Sequence, residues 1–348
     1  MAGPPGVERT LAELASSGRL SVPVRAVILG AGGAGGAGVG AGGAAEAGEE
    51  GGAGESGVEG VAGESGVEGV LVLWRHERAS AAWVEHAVQA LPDLAWLHSD
   101  FVGIDSLPLA ELARRGVLIT NGAGNYSQPM AEWVILAMLA AAKHLPHFVR
   151  QSEARIWDTS HQLGDLYGSV ALFLGLGSVG ALAAPMAAAM GVEVRGVTRS
   201  GRAKLPPGVS SLVAASDWRS QLPEADFVVC ALPLTPETAG MIDATALEAM
   251  KPTSWLINLA RGELIDEQAL VHALDRGEVG GAVLDTFEVE PLPPEHPLWG
   301  RPNVIVIPHH TWSSPQVPGR MAGLFADQLL AWTQGRELAN QVDLSAGY

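Results

Sequence analysis

Short apolar runs alternate along this chain with stretches in which apolar residues recur every three or four positions. Continuous apolar runs are typical of strands buried on both faces of a parallel sheet, and the wider spacing is typical of amphipathic helices. In the first part of the sequence the pattern predicts strands at 25–29, 67–74, 94–97 and 117–120. Helices are predicted between them at 81–91 and 107–115.

The same alternation continues to the end of the chain. It predicts strands at 170–174, 192–198, 227–232, 254–258, 282–285 and 304–307, and a last helix from Pro315 to about Trp332. A helix at 128–143 is apolar nearly all round, which indicates burial between domains or between subunits. Regular alternation of strands and helices predicts an α/β protein with two doubly wound parallel sheets and a returning C-terminal helix.

The segment 31–66 follows neither pattern. It consists mostly of Gly, Ala and Glu, and its second half contains the near-repeats ESGVEGVAG and ESGVEGV. Such a segment cannot bury enough apolar surface to offset the entropy lost on ordering, so we predict a flexible insertion. A GxGxxG at 30–35 opens it, but no amphipathic helix follows, and phosphate binding there is the less favoured alternative.

Composition restricts the class of protein and its partners. The chain has 348 residues, 47% hydrophobic and 17% charged, which is enough for two domains. A net charge of −17 argues against a nucleic-acid or anionic-membrane partner. A single cysteine, Cys230, fits a reducing compartment, so a cytoplasmic location is expected, with an organellar transit segment as the alternative. No apolar stretch nears the roughly 20 residues of a membrane span.

The most informative chemical motif follows the strand at 170–174. There the sequence reads Gly175-Leu-Gly-Ser-Val-Gly180 and leads into a helical run that ends at Met190. In a GxGxxG the first glycine allows a tight turn, the second lets the backbone approach a pyrophosphate, and the third lets the helix pack on the strand. The phosphates then bind the N–H groups of the helix N-terminus. The motif predicts a dinucleotide site, and a glycine-rich turn is the alternative.

Three later stretches place charged side chains just past predicted strands. Arg261 follows the strand at 254–258, Glu290 lies in the run DTFEVEP after the next strand, and His309 and His310 follow the last. In an open parallel sheet, ligands bind beyond the carboxyl ends of the strands. We therefore expect Arg261, Glu290 and His309 to converge beside the nucleotide.

Together these motifs resemble the D-2-hydroxyacid dehydrogenase family. The stretches that carry the resemblance are 175–180, LPLTPET at 232–238, 258–270, 285–291, Pro308-His309 and the closing NQVD at 340–343. The resemblance covers nearly the whole chain outside 1–23 and 31–66. The resemblance implies a flavodoxin-like substrate domain formed by 1–143 and 316–348, and a Rossmann dinucleotide-binding domain formed by 144–315.

The resemblance implies roles for the three converging side chains. Arg261 matches the family's substrate arginine, whose guanidinium can hold a carboxylate through two parallel bonds while polarising a keto oxygen. His309 matches the acid/base residue that protonates the carbonyl oxygen as hydride arrives. Glu290 matches its partner, since a nearby carboxylate raises the pKa of an imidazole. His310 is the competing imidazole, and only register with the family favours His309.

The resemblance also implies residues that bind cofactor and substrate. The backbone at 99–103 and Gly124, above all Val102 and Gly103, matches the segment that receives the substrate carboxylate. Trp157 lies where some glyoxylate/hydroxypyruvate reductases present a tryptophan to the neighbouring subunit, with a packing role as the alternative. Asp285 matches a residue that meets the nicotinamide carboxamide. The expected cofactor-binding residues are Gly175, Gly177, Ser178, Val179, Gly180, Thr198, Arg199, Ser200, Leu232, Pro233, Thr238, Ala260, Asp285 and His309.

The end of the strand at 192–198 bears on the choice of cofactor. An NAD site usually offers Asp or Glu about 20 residues beyond the glycines, to hold the ribose hydroxyls. Here the chain reads Thr198-Arg199-Ser200, with Arg202 and Lys204 close behind and no carboxylate. Arg199 and Ser200 suit a 2′-phosphate, so NADP(H) is the predicted cofactor and NAD(H) the alternative. No Cys, His or Asp spacing suggests a metal site.

The prediction is therefore an NADP(H)-dependent reductase of small 2-keto acids such as glyoxylate or hydroxypyruvate. The resemblance also implies a homodimer formed through the helix at 128–143. A phosphoglycerate dehydrogenase-like enzyme is one alternative, although many of those carry extra C-terminal domains and no length remains for one after Asn340. The alternative from another class is a non-catalytic dinucleotide sensor like the C-terminal-binding-protein corepressors, which share this fold and these three side chains. Formate dehydrogenase is disfavoured because that branch replaces the glutamate.

Overall fold

The computed structural model describes residues 24–30, 33–39, 69–74, 81–104, 107–201 and 204–344. The chain divides into two compact units, one formed by Met1–Asn125 and Pro315–Tyr348 and the other by Tyr126–Ser314. Arg202, most of the Gly- and Glu-rich insertion and the N-terminal residues 1–23 lie outside the described residues.

The first unit contains a five-stranded sheet in the order β2-β1-β3-β4-β5. Its strands are β1 (Val24–Gly30), β2 (Gly33–Val39), β3 (Gly69–Trp74), β4 (Leu94–Ser99) and β5 (Leu118–Thr120). Helices α1 (Ala81–Gln89) and α2 (Leu109–Arg114) lie in the connections and bury Val88 and Leu112 in one apolar cluster with Leu97 of β4. Strands β1, β3, β4 and β5 run parallel, as the sequence pattern predicts.

Strand β2 departs from the sequence prediction. It pairs antiparallel with β1, from Gly33 opposite Gly30 to Val39 opposite Val24. The prediction of a flexible insertion is therefore wrong for residues 33–39. A Gly- and Ala-rich segment lacks large apolar side chains, but its backbone N–H and C=O groups can still pair with an open sheet edge. The first sheet is mixed rather than wholly parallel.

The second unit contains a seven-stranded sheet in the order β12-β11-β10-β9-β6-β7-β8, and every adjacent pair is parallel. Its strands are β6 (Val170–Leu174), β7 (Glu193–Thr198), β8 (Ser211–Ala214), β9 (Phe227–Cys230), β10 (Trp255–Asn258), β11 (Gly281–Leu284) and β12 (Val304–Val306). The chain starts at the centre, winds outward to β8, returns beside β6 as β9 and winds the other way. The doubly wound prediction is confirmed, and ligands bind such sheets where the winding reverses.

The apolar run of β6 is explained by burial on both faces. Leu172 and Leu174 belong to one apolar cluster, and Ala171 and Phe173, which alternate with them, belong to another. All four side chains are fully buried. The lone cysteine, Cys230 at the end of β9, is buried, and burial raises the pKa of its thiol to about 12.

The helix predicted at 128–143 is observed as α3 (Ser127–Ala142), but it lies in the second unit rather than the first. Its buried Val134 and Met138 belong to the apolar cluster that also contains Ala183 and Ala187. The predicted domain boundary at 143/144 is therefore displaced to 125/126, because α3 packs on the dinucleotide-binding sheet. Its apolar character reflects this packing.

Four more helices occur in the second unit: α4 (Leu145–Ala154), α5 (Ser178–Ala189), α6 (Ala244–Glu248) and α7 (Glu267–Arg276). The returning helix α8 (Val317–Thr333) belongs to the first unit, where Phe325 is buried with its ring 6.0 Å from that of Trp96. Among the helices described, none combines the length and the hydropathy needed to cross a membrane.

Candidate active site

The glycine loop between β6 and α5 has the geometry that its spacing predicts. Gly175 has a φ of 96°, and a Cβ there would lie 2.5 Å from the carbonyl oxygen of Ala231. A Cβ on Gly180 would lie 2.6 Å from the carbonyl oxygen of Gly175. At Gly177, which precedes α5, a Cβ would meet no described atom within 4 Å. Two glycines therefore shape the turn, and the other leaves open space before the helix N-terminus.

The residues expected to bind the nucleotide follow β6, β7 and β9 at the carboxyl edge of the same sheet. Ser178 and Val179 form the first turn of α5, whose first N–H groups have no acceptor within the helix. Thr198 ends β7, and Arg199 and Ser200 next to it are exposed. Backbone donors and a guanidinium, groups suited to phosphate, thus follow two neighbouring strands at one edge of the sheet.

The loop after β9 is held by its own hydroxyl groups. Thr238 Oγ1 donates to the carbonyl oxygen of Pro233 at 2.8 Å and accepts from the backbone N–H of Thr235 at 2.7 Å. Leu232, at the start of this loop, lies within reach of a Cβ built on Gly175. The LPLTPET segment is thus a closed turn against the glycine loop.

Arg261 lies directly after β10, where Asn258 shapes the chain. The Asn258 side chain donates to the carbonyl oxygen of Arg261 at 2.7 Å and accepts from the N–H of Ala260 at 3.1 Å. The Arg261 guanidinium donates through Nη1 to the carbonyl oxygen of Ala260 at 2.8 Å. The next residue, Gly262, has no room for a side chain, since its Cβ would lie 2.0 Å from the carbonyl carbon of Phe287.

Glu290 and His309 form the central contact of the site. His309 Nδ1 lies 2.7 Å from Glu290 Oε2, and the other oxygen of Glu290 accepts from the N–H of Phe287 at 3.0 Å. The imidazole stays 47% exposed. His309 has a φ of 48°, in the left-handed region that non-glycine residues seldom occupy. The competing His310 makes no comparable contact with Glu290 among the described hydrogen bonds.

Asp285 stabilises the segment that carries His309. Its Oδ1 accepts from the N–H of His310 at 2.7 Å, and its Oδ2 accepts from Thr311 Oγ1 at 2.5 Å. Its backbone carbonyl accepts from the N–H of His309 at 2.9 Å. Asp285 is 1% exposed, and burial raises its pKa despite these hydrogen bonds. Its side chain therefore orders the loop after β12.

The electrostatics of the site favour a protonated imidazole. The hydrogen bond to Glu290 raises the pKa of His309, although burial and the positive charge of Arg261 oppose the shift. Burial opposes ionisation of Glu290, but the bonds from His309 and the Phe287 N–H and the charge of Arg261 outweigh it and lower its pKa. Arg261, Glu290 and His309 are therefore close enough to interact. The structure thus brings the three side chains together within the second unit.

The predicted substrate-binding backbone lies in the first unit. Val102 is 44% exposed, and its carbonyl oxygen accepts from the Asn121 side chain at 3.1 Å. Gly103 follows it and is partly exposed. Asn340 secures the adjoining loop, because its side chain donates to the carbonyl oxygens of Asn121 at 3.3 Å and Ala123 at 2.8 Å. This segment offers backbone groups on a fixed loop.

Trp157 is 95% exposed, so the alternative of a packing tryptophan within this chain is wrong. Among the described residues, no group of three or more His, Cys, Asp or Glu side chains is arranged to hold a metal ion.

Sequence reasoning missed several supporting contacts. The buried Glu267 accepts from the N–H of Glu288 at 2.6 Å and contacts His296 at 3.3 Å, and Thr311 bonds to Asp285. No spacing signal could have identified these contacts, because they join segments separated along the chain.

The fold and site define a dinucleotide-binding α/β protein, and comparisons with known proteins agree. The family model of the D-isomer-specific 2-hydroxyacid dehydrogenase NAD-binding domain matches residues 135–311. A glyoxylate reductase from Korarchaeum cryptofilum is 33% identical over 260 residues, covering 73% of this chain and 78% of that protein. The chain belongs to the D-isomer-specific 2-hydroxyacid dehydrogenase family and is an NAD(P)-dependent oxidoreductase.

Solved structures give the same result. A D-isomer-specific 2-hydroxyacid dehydrogenase from Xanthobacter autotrophicus, in complex with NADPH and MES, is 33% identical with a TM-score of 0.68, covering 80% of this chain and 85% of that one. An NADPH-dependent glyoxylate/hydroxypyruvate reductase from Sinorhizobium meliloti, in complex with NADP and sulfate, is 28% identical with a TM-score of 0.70, covering 81% of this chain and 87% of that one.

Proposed function

We propose that this protein reduces a small 2-keto acid of the glyoxylate or hydroxypyruvate class with NADPH and forms a D-2-hydroxy acid. The observation that carries the proposal is the 2.7 Å contact between His309 Nδ1 and Glu290 Oε2, with the charge of Arg261 nearby. A carboxylate-backed imidazole can deliver a proton to a carbonyl oxygen, and a guanidinium can bind the carboxylate of a 2-keto acid.

Each side chain then has one task in the reduction. The nicotinamide, when bound, supplies hydride to the keto carbon. His309 has Nδ1 engaged by Glu290, so Nε2 carries the proton that the keto oxygen receives. Glu290 stabilises the imidazolium before the transfer, and Arg261 orients the substrate carboxylate and polarises the keto oxygen. In the reverse direction His309 withdraws the hydroxyl proton. The backbone of Val102 and Gly103 is a further proposed contact for the carboxylate.

The residues at the glycine loop fit a dinucleotide. Gly177 leaves open space in front of α5, and the first N–H groups of that helix are suited to a pyrophosphate. Ala260 lies next to Arg261, where we assign it to the cofactor site together with Asp285, Leu232, Pro233 and Thr238. These roles follow from their placement at the carboxyl ends of β9, β10 and β11.

We assign NADP(H) as the preferred cofactor because Arg199 and Ser200 end β7 where an NAD site usually offers a carboxylate. The two solved relatives described above bind NADPH or NADP. The variant Arg199→Asp should raise the KM for NADPH much more than the KM for NADH. The control Arg276→Asp changes an arginine at the C-terminal end of α7, and it should change neither KM. Equal effects on both cofactors would contradict the assignment.

A substrate panel tests the proposed reaction. Glyoxylate, hydroxypyruvate, pyruvate and 3-phosphohydroxypyruvate are each assayed with NADPH and with NADH. We expect the highest kcat/KM for glyoxylate or hydroxypyruvate with NADPH. The highest activity on the phosphorylated acid would instead support a phosphoglycerate dehydrogenase-like enzyme. Tight NADPH binding without turnover of any keto acid would support a dinucleotide sensor.

We also propose a homodimer formed through α3 and the segment that follows it. This part of the second unit exposes many large apolar side chains, and exposed apolar surface is typical of interfaces. They are Leu136, Leu145, Val149, Ile156, Trp157, Leu163 and Tyr167, each at least 43% exposed. Sedimentation should give a dimer, and Ile156→Asp should give a monomer, whereas the control Leu205→Asp should not. A monomeric wild-type protein would contradict the proposal.

A further inference from the structure

A second carboxylate–imidazole contact lies beside the Glu290–His309 pair. Glu267 is the first residue of α7, and its Oε2 lies 3.3 Å from His296 Nε2. The Glu267 side chain is only 9% exposed and that of His296 only 22%. A carboxylate in the first turn of a helix is stabilised by the helix dipole, but this does not require the carboxylate to be buried. Burial of the Glu267 carboxylate calls for another explanation.

The hydrogen bonds of Glu267 lead to the loop that carries Glu290. Its Oε1 accepts from the N–H of Glu288 at 2.6 Å, while its own N–H donates to Glu288 Oε1 at 3.3 Å. Glu288 follows Phe287, whose N–H binds Glu290 Oε1 at 3.0 Å. Adjacent peptide N–H groups of one loop are thus held by two different carboxylates, Glu267 and Glu290.

The segment that carries Arg261 is joined to the same loop. A Cβ on Gly262 would lie 2.0 Å from the carbonyl carbon of Phe287 and 2.5 Å from the nitrogen of Glu288, so the two backbones touch there. Glu267 lies at the end of this segment, and its side chain accepts a hydrogen bond from the Glu288 N–H. The substrate arginine and the partner of the acid/base histidine therefore rest on two loops that are braced against each other.

The charge of Glu267 is also linked to the site. Burial raises the pKa of Glu267, the Glu288 N–H opposes that shift, and the negative charges of Glu288 and Glu290 add to it while His296 opposes it. Glu267 and Glu290 are therefore within electrostatic range of each other, and Glu290 contacts His309 Nδ1.

We propose that Glu267, held by His296, is a positioning residue for the acid–base pair. It fixes the loop at Phe287–Glu288 so that Glu290 Oε2 meets His309 Nδ1, and its charge helps to keep the imidazole protonated. This inference rests on the proposed function and deepens it by assigning a residue outside the groups that touch substrate.

The test compares wild type with Glu267→Gln and Glu267→Ala. The glutamine keeps an oxygen that can accept from the Glu288 N–H but carries no charge, so the alkaline limb of kcat/KM for keto-acid reduction should shift to lower pH. The alanine also loses the brace, and kcat should fall by roughly 10- to 100-fold, the usual effect of misplacing reacting groups. The KM for the keto acid should change less than kcat, and NADPH affinity should be unchanged.

The charged groups that face this site are Glu267, Glu288, Glu290, Asp285, Arg261, His296 and His309. If Glu267 acts through Glu290, the Glu267→Gln shift should vanish in a Glu290→Gln background. The control Asp243→Asn removes the carboxylate that caps α6, which accepts from the N–H of Ala246 and pairs with Arg219. It should lower thermal stability and leave the pH profile in place.

A titration separates this inference from the proposed function. The pKa of His309 is followed by NMR through its ring carbon resonance, assigned with a His309→Gln variant, and it needs no turnover. A lower His309 pKa in Glu267→Gln supports the inference even if no keto acid is reduced. An unchanged His309 pKa overturns it, and so does a Glu267→Ala variant that is folded and fully active.

Discussion

The chain contains a strand followed by GxGxxG twice, and the two copies fold differently. After β1, the first copy turns back on itself, so that Gly33 pairs with Gly30 and an antiparallel strand follows. After β6, the second copy turns at Gly175 and enters helix α5 at Ser178. The glycine spacing is the same, so the residues that follow it must decide the outcome.

The difference lies in helix propensity and in the partner available for packing. The second copy continues with Ala181, Ala183 and Ala184, of which the last two are fully buried against the sheet. The first continues with further glycines, each of which costs a helix about 1 kcal/mol relative to alanine. A helix N-terminus suited to phosphate forms only in the second copy. The comparison teaches that the fingerprint includes the helix after it.

The contrast extends to the chemistry of the two units. In the second unit, charged side chains gather beyond β10, β11 and β12, where Arg261, Glu290 and His309 interact. In the first unit, the expected substrate segment is a loop secured by the amides of Asn121 and Asn340. The proposed mechanism therefore assigns proton transfer to the second unit and backbone contacts with the substrate carboxylate to the first.

The largest expected effect is on NADPH binding, when one glycine of each GxGxxG motif is replaced by valine. Gly177 has a φ of −69° and free space at Cβ, so Gly177→Val should fold but block the approach of the pyrophosphate. Loss of two or more hydrogen bonds to a charged group, each about 1.5–3 kcal/mol, should weaken NADPH binding by roughly 100-fold or more. Titration calorimetry measures this, with apo melting temperature as the folding control.

The matched variant in the first run is Gly35→Val. It lies in β2, where a strand accepts a β-branched residue, and NADPH affinity should equal that of the wild type. Equal loss of affinity in Gly35→Val and Gly177→Val would break the comparison.

The second-largest effect is expected for a substitution of Arg261, which lies in the second unit. Arg261→Lys keeps the charge but loses the planar fork, so at least one charge-assisted bond to the substrate carboxylate disappears. The KM for glyoxylate should rise roughly 10- to 100-fold, as expected for about 1.5–3 kcal/mol. Steady-state kinetics check this at saturating NADPH. Near-normal kinetics would contradict the role given to Arg261.

A smaller effect should appear in the pH profile. Reduction needs the imidazolium form of His309, so kcat/KM falls as pH rises through the His309 pKa. The Glu290 hydrogen bond raises that pKa above the ordinary 6.5, against opposition from burial and Arg261. Glu290→Gln should move the alkaline limb to lower pH. A limb that stays in place, measured with glyoxylate from about pH 5 to about pH 10, would show that Glu290 does not sustain the proton.

The smallest effect is expected when the insertion that follows the first GxGxxG motif is shortened. Val39 pairs with Val24, and Gly69 pairs with Arg25 on the other side of β1, so both ends lie at the same edge about 10 Å apart. Removing residues 42–66 leaves four linking residues, enough for that span. Activity and melting temperature should stay at wild-type values. Loss of either would show that the removed segment supports the fold or the site.

Much of the fold could be predicted from the sequence because strands that are buried on both faces, such as β6 and β10, consist of continuous apolar residues. The strand β8 was missed, since its residues at 211–214 are each only partly buried and the run is short. The predicted domain boundary near α3 was misplaced because a helix that is apolar on all sides does not indicate which sheet it packs on. Strand β2 was missed since its pairing depends on an open sheet edge rather than on its own residues.

The site shows the same division. Arg261, Glu290 and His309 could be predicted because each follows a parallel strand, and parallel strands end at one edge. The link between Glu267 and Glu288 could not, since it depends on how α7 meets the loop after β11. Sequence spacing identifies residues at element ends, and it does not report contacts between two loops.

The most direct test of the central claim compares His309→Ala with His310→Ala in NADPH oxidation by glyoxylate, with NADPH affinity measured in parallel. Of these two histidines, His309 is the one whose side chain contacts Glu290 among the described hydrogen bonds. His309→Ala should lower kcat by roughly 10²- to 10⁴-fold, the usual contribution of general acid–base catalysis, with NADPH affinity unchanged. His310→Ala should retain near-wild-type kcat. Retained turnover in His309→Ala, or an equal loss in His310→Ala, would contradict the account.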